Sequence, residues 1–430
     1  MYLTPGGVPL TVGRFCPAVK IAPRSPVARW FRRGRDKVAR MLARPARLNV
    51  RWNVRWILGP RADPALLTVG GSLVGYGLLA AYAWLRFDMA HLWFVWLALL
   101  NGPHLFAMYA RTYLVPEERR SRAALLGHSL WLFAIGPTVL AASAALAAGG
   151  VRWSRAPFIA YMVLVGLWAY WHVVRQHHGI VRLYQRRNGE TSRADYWIDF
   201  LLIHVGLTAP LLAFLCRHPD LRAVLDAPRI ADALASVAGG VRLASAVAAA
   251  AVIALFVLRQ AQRWRAGLPL NAPKLVFLGA IVPFYLVLFF GQTAQAAPLF
   301  AVAPLAIIPH DLQYQTMVWL WRHRRRREAQ ASDARGARRA RGAGVAVSLV
   351  ACAAATGALL ATASCALDRA LGCPAAFYTA AAILPGGITA REVLIVAFHG
   401  FFIHHYFVDQ HIWRPGREPA LAARLGVPAT

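Results

Sequence analysis

Residues 398–415 read FHGFFIHHYFVDQHIWRP, and this stretch decides how the whole chain is interpreted. It closes an apolar run with five side chains that can bind a metal, which are His399, His404, His405, Asp409 and His411. On a helix, His405 and Asp409 form an i, i+4 pair on one face. Imidazole and carboxylate groups suit iron, zinc or manganese, and ionisable groups inside a membrane segment usually serve a function. The alternative is a helix end whose histidines contact lipid headgroups.

The composition is that of a membrane protein. Of 430 residues, 58% are hydrophobic and only 15% are charged, which is too apolar for an ordinary soluble domain. The formal net charge of +30 comes largely from arginines that lie between apolar runs. We therefore interpret these arginines as marking cytoplasmic loops, and expect no nucleic acid partner. No uninterrupted apolar segment precedes Arg24, so we expect the first span, rather than a cleaved signal, to direct insertion.

The five cysteines do not have the spacing of a zinc site. Cys16, Cys216 and Cys352 stand alone, and no Cys-x-x-Cys pair occurs, so a structural zinc ribbon is excluded. Cys365 and Cys373 lie together in a predicted external loop. This pair is either a disulfide in an oxidising compartment or two free thiols.

Apolar windows of about 20 residues, the length that crosses the hydrocarbon of a bilayer, recur ten times. Their centres are Gly75, Leu97, Phe133, Val165, Val205, Ala251, Pro283, Pro304, Ala353 and Val396. Arginine-rich segments follow the second, fourth, sixth and eighth windows, and the positive-inside rule therefore places both termini in the cytoplasm. We predict an all-α, polytopic integral membrane protein of about ten transmembrane helices in a bacterial-type inner (plasma) membrane. Residues 1–62 form a basic cytoplasmic arm, residues 63–415 the transmembrane domain and residues 416–430 a short tail.

Histidines gather at the C-terminal ends of four even-numbered windows, which this topology places at the cytoplasmic leaflet. Because unpaired imidazoles are costly in hydrocarbon, we predict that they meet in one metal site. The predicted ligands are His104, His172, His177, His178, His310, His399, His404, His405, Asp409 and His411. The residues predicted to support them by hydrogen bonds or charge are Gln176, Asp311, Gln313, Tyr314, Arg175 and Arg414. His218 and His323 fall in predicted water-exposed loops and are expected to bind no metal.

The spacing HxxxxHH occurs twice, beginning at His172 and at His399. These short motifs resemble the histidine boxes of the integral-membrane di-iron enzymes, the fatty-acid desaturase and hydroxylase superfamily, whose boxes also lie at cytoplasmic helix ends. The resemblance implies two irons that activate oxygen, oxidation of an unactivated C–H bond in a lipid-like substrate, and electrons from a separate donor protein. It assigns no catalytic residue beyond the metal ligands. Zinc is the alternative metal.

Two other classes of function fit the same residues. A transporter or lipid-binding scaffold would use the histidines to relay protons, or would bind phosphate headgroups with Arg175, Arg182 and Arg414. A b-type haem protein would hold a porphyrin between histidines on two facing helices. Aromatic residues near the predicted site, such as Trp171 and Tyr406, fit a hydrophobic substrate that enters from the membrane.

Overall fold

The computed structural model describes residues 51–87, 92, 95–220, 228–297, 299–331, 350–359, 383–384 and 388–428. Within these residues the chain is helical apart from four strands of two residues each. The predicted all-α class is confirmed. The first 50 residues of the basic arm lie outside the described residues, and so does the pair of Cys365 and Cys373.

The helices are numbered in chain order. The first seven are α1 (Gly70–Leu85), α2 (Gly102–Arg111), α3 (Pro116–Ser121), α4 (Ala123–Ser129), α5 (Ile135–Ala148), α6 (Ala156–Arg187) and α7 (Arg193–Leu215). The next seven are α8 (Pro228–Arg265), α9 (Ala272–Phe290), α10 (Gln292–Ala296), α11 (Leu299–Ala331), α12 (Val350–Leu359), α13 (Ala390–Ile412) and α14 (Pro419–Leu425). The irregular helical turns are the π-helical Asp63–Thr68 and Leu97–Asn101 and the 3-10 turn Leu130–Ala134. The short strands pair as β1 (Trp52–Asn53) parallel to β2 (Leu270–Asn271), and β3 (Ile383–Leu384) antiparallel to β4 (Ile388–Thr389).

Five helical segments of the described chain are long and apolar enough to cross a membrane. They are Ala123–Ala148, Ala156–Arg187, Arg193–Leu215, Asp232–Arg265 and Ala272–Phe290. Large apolar side chains lie exposed along them, including Trp131, Leu164 and Leu243. Soluble proteins rarely expose so much apolar surface, whereas lipid-facing helices do so by necessity. The chain therefore has the character of a membrane protein.

Helices α2, α6, α11 and α13 pack together and position the site. Helix α11 contacts α1, α2 and α6, and α13 contacts α2, α5 and α6. Glycine permits two of the close approaches. A Cβ atom at Gly71 of α1 would lie 2.6 Å from the Cα of Pro309 on α11, and one at Gly400 of α13 would lie 2.7 Å from the ring of Phe133. Any side chain at these positions would push the helices apart.

Helix α13, which carries most of the 398–415 stretch, begins at a capping box. The Oγ1 of Thr389 accepts a hydrogen bond from the amide of Glu392 (3.2 Å), whose carboxylate accepts one from the Thr389 amide (2.8 Å). Both bonds satisfy N-terminal donors that the helix itself leaves unpaired. The helix ends at Ile412, three residues before Pro415, which cannot continue a helix. The histidines of this stretch are thus fixed on one rigid element.

A buried ionic network holds α7, α8 and α9 together. Lys274 Nζ lies 2.7 Å from Glu190 Oε2 and 2.8 Å from Asp199 Oδ2. Arg263 Nη1 lies 2.6 Å from Asp195 Oδ2. These side chains are almost wholly buried. Because a buried charge is tolerated only when paired, loss of one partner would strongly destabilise this part of the fold.

Two histidines outside the predicted site differ from expectation. His218 was predicted to lie in a water-exposed loop, and this is wrong because it is fully buried. Its Nε2 donates to the carbonyl of Ala297 (3.0 Å), and its Nδ1 accepts from the amide of Asp220 (3.2 Å). His218 therefore ties the segment after α7 to the turn before α11. His323 is exposed but lies on α11 rather than in a loop.

Candidate metal centre

Four imidazoles, one from each of four helices, form a buried cluster. They are His104 of α2, His172 of α6, His310 of α11 and His405 of α13. The ring centroids lie 4.6 Å apart for His104 and His405, 4.8 Å for His104 and His310, 5.0 Å for His172 and His310, and 5.2 Å for His172 and His405. His405 is fully buried, and His104 is 2% exposed. The donor atoms form two groups, each within 4.8 Å, that could hold an ion: His104, His172 and His405 in one, and His104, His310 and Asp311 in the other.

The Nε2 of His405 lies close to both His104 and the carboxylate of Asp409. His104 Nε2 lies 2.8 Å from His405 Nε2, a distance that suits either a hydrogen bond or two ligands of one ion. The Oδ2 of Asp409 lies 3.4 Å from His405 Nε2 and 3.7 Å from His172 Nε2. A tetrahedral ion about 2.1 Å from each ligand would hold neighbouring donor atoms about 3.4 Å apart. The three imidazoles of His104, His172 and His405 thus have the spacing of a metal site, and the carboxylate of Asp409 lies next to two of them.

Several of these buried donor atoms have no hydrogen-bond partner in the described part of the chain. They are His104 Nδ1, His172 Nε2, His310 Nδ1, His405 Nδ1 and Asp409 Oδ2. A buried polar atom without a partner costs about 1–3 kcal/mol. A cation bound between them would satisfy the atoms that face the centre.

A carboxylate and a hydroxyl group of α11 contact two of the ligand candidates. Asp311 Oδ1 lies 3.3 Å from the Nδ1 of His104, on the opposite side of the ring from His405. Trp96 Nε1 donates to Asp311 Oδ2 (2.7 Å). The hydroxyl of Tyr314 donates to Asp409 Oδ1 (2.6 Å). Carboxylates behind metal-binding imidazoles fix the tautomer and ring orientation, which is the arrangement seen here.

His177 and His178, which follow His172 on α6, lie in other surroundings. His177 is hydrogen-bonded at Nδ1 to Gln313 Oε1 (3.0 Å) and at Nε2 to the hydroxyl of Tyr285 (3.2 Å). The ring of His178 lies 5.2 Å from that of His204. Neither histidine belongs to the cluster, although both were predicted to be ligands.

Three histidines of α13 also lie apart from the cluster. His404 is hydrogen-bonded at Nε2 to the hydroxyl of Tyr113 (3.0 Å). The ring of His399 lies 5.6 Å from that of Tyr161. His411 Nδ1 donates to the carbonyl of Phe407 (2.7 Å) within its own helix. Of the ten predicted ligands, the structure therefore brings together His104, His172, His310, His405 and Asp409.

Of the residues predicted to support the site, some contact the cluster and others do not. Asp311 and Tyr314 contact the cluster as described. Gln176 Nε2 donates to the carbonyl of His310 (2.9 Å) and lies 3.4 Å from Gln313 Oε1, so this pair links α6 to α11. Arg175 and Arg414 instead line a larger pocket beside the cluster.

Two cavities meet at the cluster. A small one of about 20 Å³ is enclosed by the four histidines and Asp311, among others, which is room for about one water molecule. A larger one of about 750 Å³ opens between α6 and α13. His172 and Tyr406 line both cavities. A molecule in the large pocket would therefore reach the ligand His172 directly.

Two residues that support the site belong to none of the motifs found in the sequence. Trp96 donates a hydrogen bond to Asp311. In the sequence it resembles any of the tryptophans that are common at the membrane–water interface. Arg111 is fully buried, donates from Nη2 to the carbonyl of Ile412 (2.6 Å) and stacks on Trp413 with its guanidinium carbon 3.7 Å from the ring centroid. A cation at this position satisfies the C-terminal end of α13. The one sequence signal was the location of Arg111 about two helical turns after His104.

No protein-family model, no curated protein and no solved structure matches this chain. Its function is therefore inferred from the arrangement of the residues described above.

Proposed function

We propose that the chain is a membrane-embedded metalloenzyme that oxidises a hydrophobic substrate. The metal would be held by His104, His172, His405 and Asp409. The observation that carries this proposal is that one ring nitrogen each of His104, His172 and His405 lies within 4.8 Å of the others, with Asp409 Oδ2 3.4 Å from His405 Nε2 and 3.7 Å from His172 Nε2. His310 and Asp311 supply two further donor groups on the far side of His104.

We propose iron as the metal, with zinc as the alternative. Imidazole ligands suit iron as well as zinc, and the histidine motifs resemble those of di-iron enzymes, which is why we propose iron. Four donors suffice for one ion, and the two further groups beside His104 allow the second iron that the histidine motifs suggest. Bound iron would supply oxygen activation. The protein residues bind and orient the ions, exclude water and hold the substrate beside them.

The electron balance of the proposed oxidation shows that the enzyme needs an electron donor. Conversion of a C–H bond to a hydroxyl, or of two neighbouring C–H bonds to a double bond, by dioxygen consumes two additional electrons and two protons. We propose that a separate electron-donor protein supplies the electrons. The setting is an inner (plasma) membrane, crossed about ten times with both termini in the cytoplasm, as the arginine distribution predicts.

The two alternative functions, a haem protein and a transporter or lipid-binding scaffold, would use the same residues differently. A porphyrin between His104 and His405 would need far more space than the 2.8 Å between their Nε2 atoms, so this pair does not favour a b-type haem. A transporter or lipid-binding scaffold would use the contacts among His104, His405 and Asp409 as a proton relay. Such a relay would work without a metal.

Metal analysis of purified protein and of two neighbouring variants tests the proposal. His405→Ala removes a ligand, whereas His404→Ala removes the adjacent histidine, which contacts Tyr113 instead. We expect wild type to contain one or two irons per chain, His405→Ala to lose at least 10-fold in metal affinity, and His404→Ala to retain it. Metal-free wild type, or equal metal content in both variants, would contradict the proposed site and favour the relay.

A further inference from the structure

The 750 Å³ pocket changes in chemical character along α6. Trp168 and Trp171 line one end, and Arg175, Arg182 and Arg186 line the rest. These positions are three, four or seven residues apart, so they form one stripe on the helix. From the first residue to the last the stripe is about 27 Å long. Such a surface matches a molecule with an apolar part and an anionic part.

Five arginines line the pocket, and none of them forms an ion pair with a carboxylate of the described residues. Arg414 and Arg417, in the segment after α13, join the three arginines of α6. In the part of the chain that the structure describes, none of the five lies within 4.0 Å of a carboxylate oxygen. The carboxylate that lines the pocket, that of Asp409, is hydrogen-bonded to Tyr314.

The polar contacts of these arginines are few. Arg182 donates to the side chain of Gln185, and Arg414 Nε donates to the carbonyl of Gln410 (2.7 Å). The Nη1 of Arg186 is buried and has no hydrogen-bond partner in the described structure. Neighbouring guanidinium groups repel one another unless an anion lies between them. The pocket therefore has a high positive charge that its own residues do not neutralise.

A buried histidine provides a second, independent observation. His178 lines the same pocket and is 5% exposed, and its Nε2 has no hydrogen-bond partner among the described residues. It lies one turn from both Arg175 and Arg182 on α6. An imidazole nitrogen that is buried and unpaired beside cations fits a ligand oxygen that accepts a hydrogen bond.

We infer that the pocket binds the phosphate-bearing head of an amphipathic lipid. Guanidinium groups bind phosphate through paired N–H donors, and five of them suit a group with more than one negative charge. The apolar part would lie along Trp168 and Trp171, beside His172. Calling this lipid the substrate rests on the proposed function, whereas its binding does not.

Binding to the purified full-length protein in detergent tests the inference. The probes are dihexanoyl phosphatidic acid, dihexanoyl glycerol, which lacks the phosphate, and inorganic phosphate, each measured by calorimetry. We expect dihexanoyl phosphatidic acid to bind at least 10-fold more tightly than either of the others, and its binding to weaken as salt is raised. Equal binding of dihexanoyl glycerol would overturn the role of the phosphate. Equal binding of inorganic phosphate would overturn the role of the lipid.

A pair of variants locates the site. The double variant Arg182→Gln/Arg414→Gln removes two pocket cations, and Arg193→Gln removes an exposed arginine just beyond the same end of α6 that does not line the pocket. We expect the double variant to bind dihexanoyl phosphatidic acid at least 10-fold more weakly, and Arg193→Gln to bind it normally. Equal weakening in both would show a diffuse charge effect and overturn the site. Thermal melts confirm that both variants are folded.

The metal-site variant separates this inference from the proposed function. His405→Ala leaves every arginine of the pocket in place, so we expect it to bind dihexanoyl phosphatidic acid within about threefold of wild type. If wild type binds the lipid but no iron, the lipid site stands and the enzyme proposal fails. If wild type binds iron but shows no preference for the phosphate-bearing lipid, the enzyme proposal stands and this inference fails.

Discussion

Tyr314 and Tyr113 each hydrogen-bond a different part of the histidine stretch of α13. Tyr314 donates to Asp409 (2.6 Å), whereas Tyr113 contacts His404 (3.0 Å). We predict that Tyr314→Phe lowers metal affinity about 10-fold, because the carboxylate loses the donor that orients it. Tyr113→Phe should leave metal affinity unchanged. Competition with a chelator of known affinity measures both. A larger loss in Tyr113→Phe would place His404, rather than Asp409, at the centre.

The sequence predicted the level of the site along the helices but not the direction of each side chain. Successive residues of a helix point about 100° apart, so His404 and His405 face different neighbours. On α6, His177 and His178 point about 140° and about 120° away from His172, in opposite directions, by the same rule. The HxxxxHH motif therefore brings only one of its three histidines to the cluster in each copy. Helical geometry alone indicates that the three histidines of a copy cannot all face the same site. Which of them faces the cluster depends on how the helices pack.

At the scale of the element, glycines set the distance between α1 and α11. We predict that Gly71→Ala destabilises the protein by about 1–3 kcal/mol, because the added methyl overlaps the backbone at Pro309, next to His310. Gly77→Ala is the matched control on the same helix, since a Cβ there meets nothing within 4 Å. That change should be neutral or stabilise by up to about 1 kcal/mol.

Thermal melting and metal affinity of the two glycine variants measure this difference. Because Pro309 is adjacent to a cluster histidine, we expect Gly71→Ala to lower both metal affinity and stability. Gly77→Ala should lower neither. Equal stability of the two variants together with unchanged metal affinity would show that α1 and α11 are not in the close contact described. A stable Gly71→Ala with weakened metal binding would assign the contact to the site alone.

Hydropathy predicted the positions of the helices better than their lengths. Each of the ten predicted window centres falls in a helical segment. The lengths were less predictable: α6 has 32 residues and α11 has 33, which exceeds the roughly 20 needed to cross a bilayer. The polar part of α6 continues the helix beyond its apolar part, and this extension carries the arginines of the pocket. Apolar windows give no information about such extensions, because tertiary contacts stabilise them.

At the scale of the whole molecule, the arginines predict which side of the membrane the site faces. Four arginines flank the C-terminal end of α6 (Arg182, Arg186, Arg187 and Arg193), against two near its N-terminal end (Arg152 and Arg155). The positive-inside rule therefore places the end of α6 in the cytoplasm. His172 and the lipid pocket would then lie in the inner half of the membrane, where a cytoplasmic electron donor has access.

Cysteine labelling in intact cells tests this orientation. In a background without the native cysteines, Ser154→Cys and Thr191→Cys place single thiols beyond the two ends of α6. We predict that a membrane-impermeant maleimide labels Ser154→Cys from outside, and labels Thr191→Cys only after the cells are permeabilised. Both sites lie between helices rather than within them, so neither change removes a helix residue. The reverse labelling would place the histidine cluster and its pocket toward the outer leaflet. The electron donor and the lipid would then have to reach the site from outside the cytoplasm.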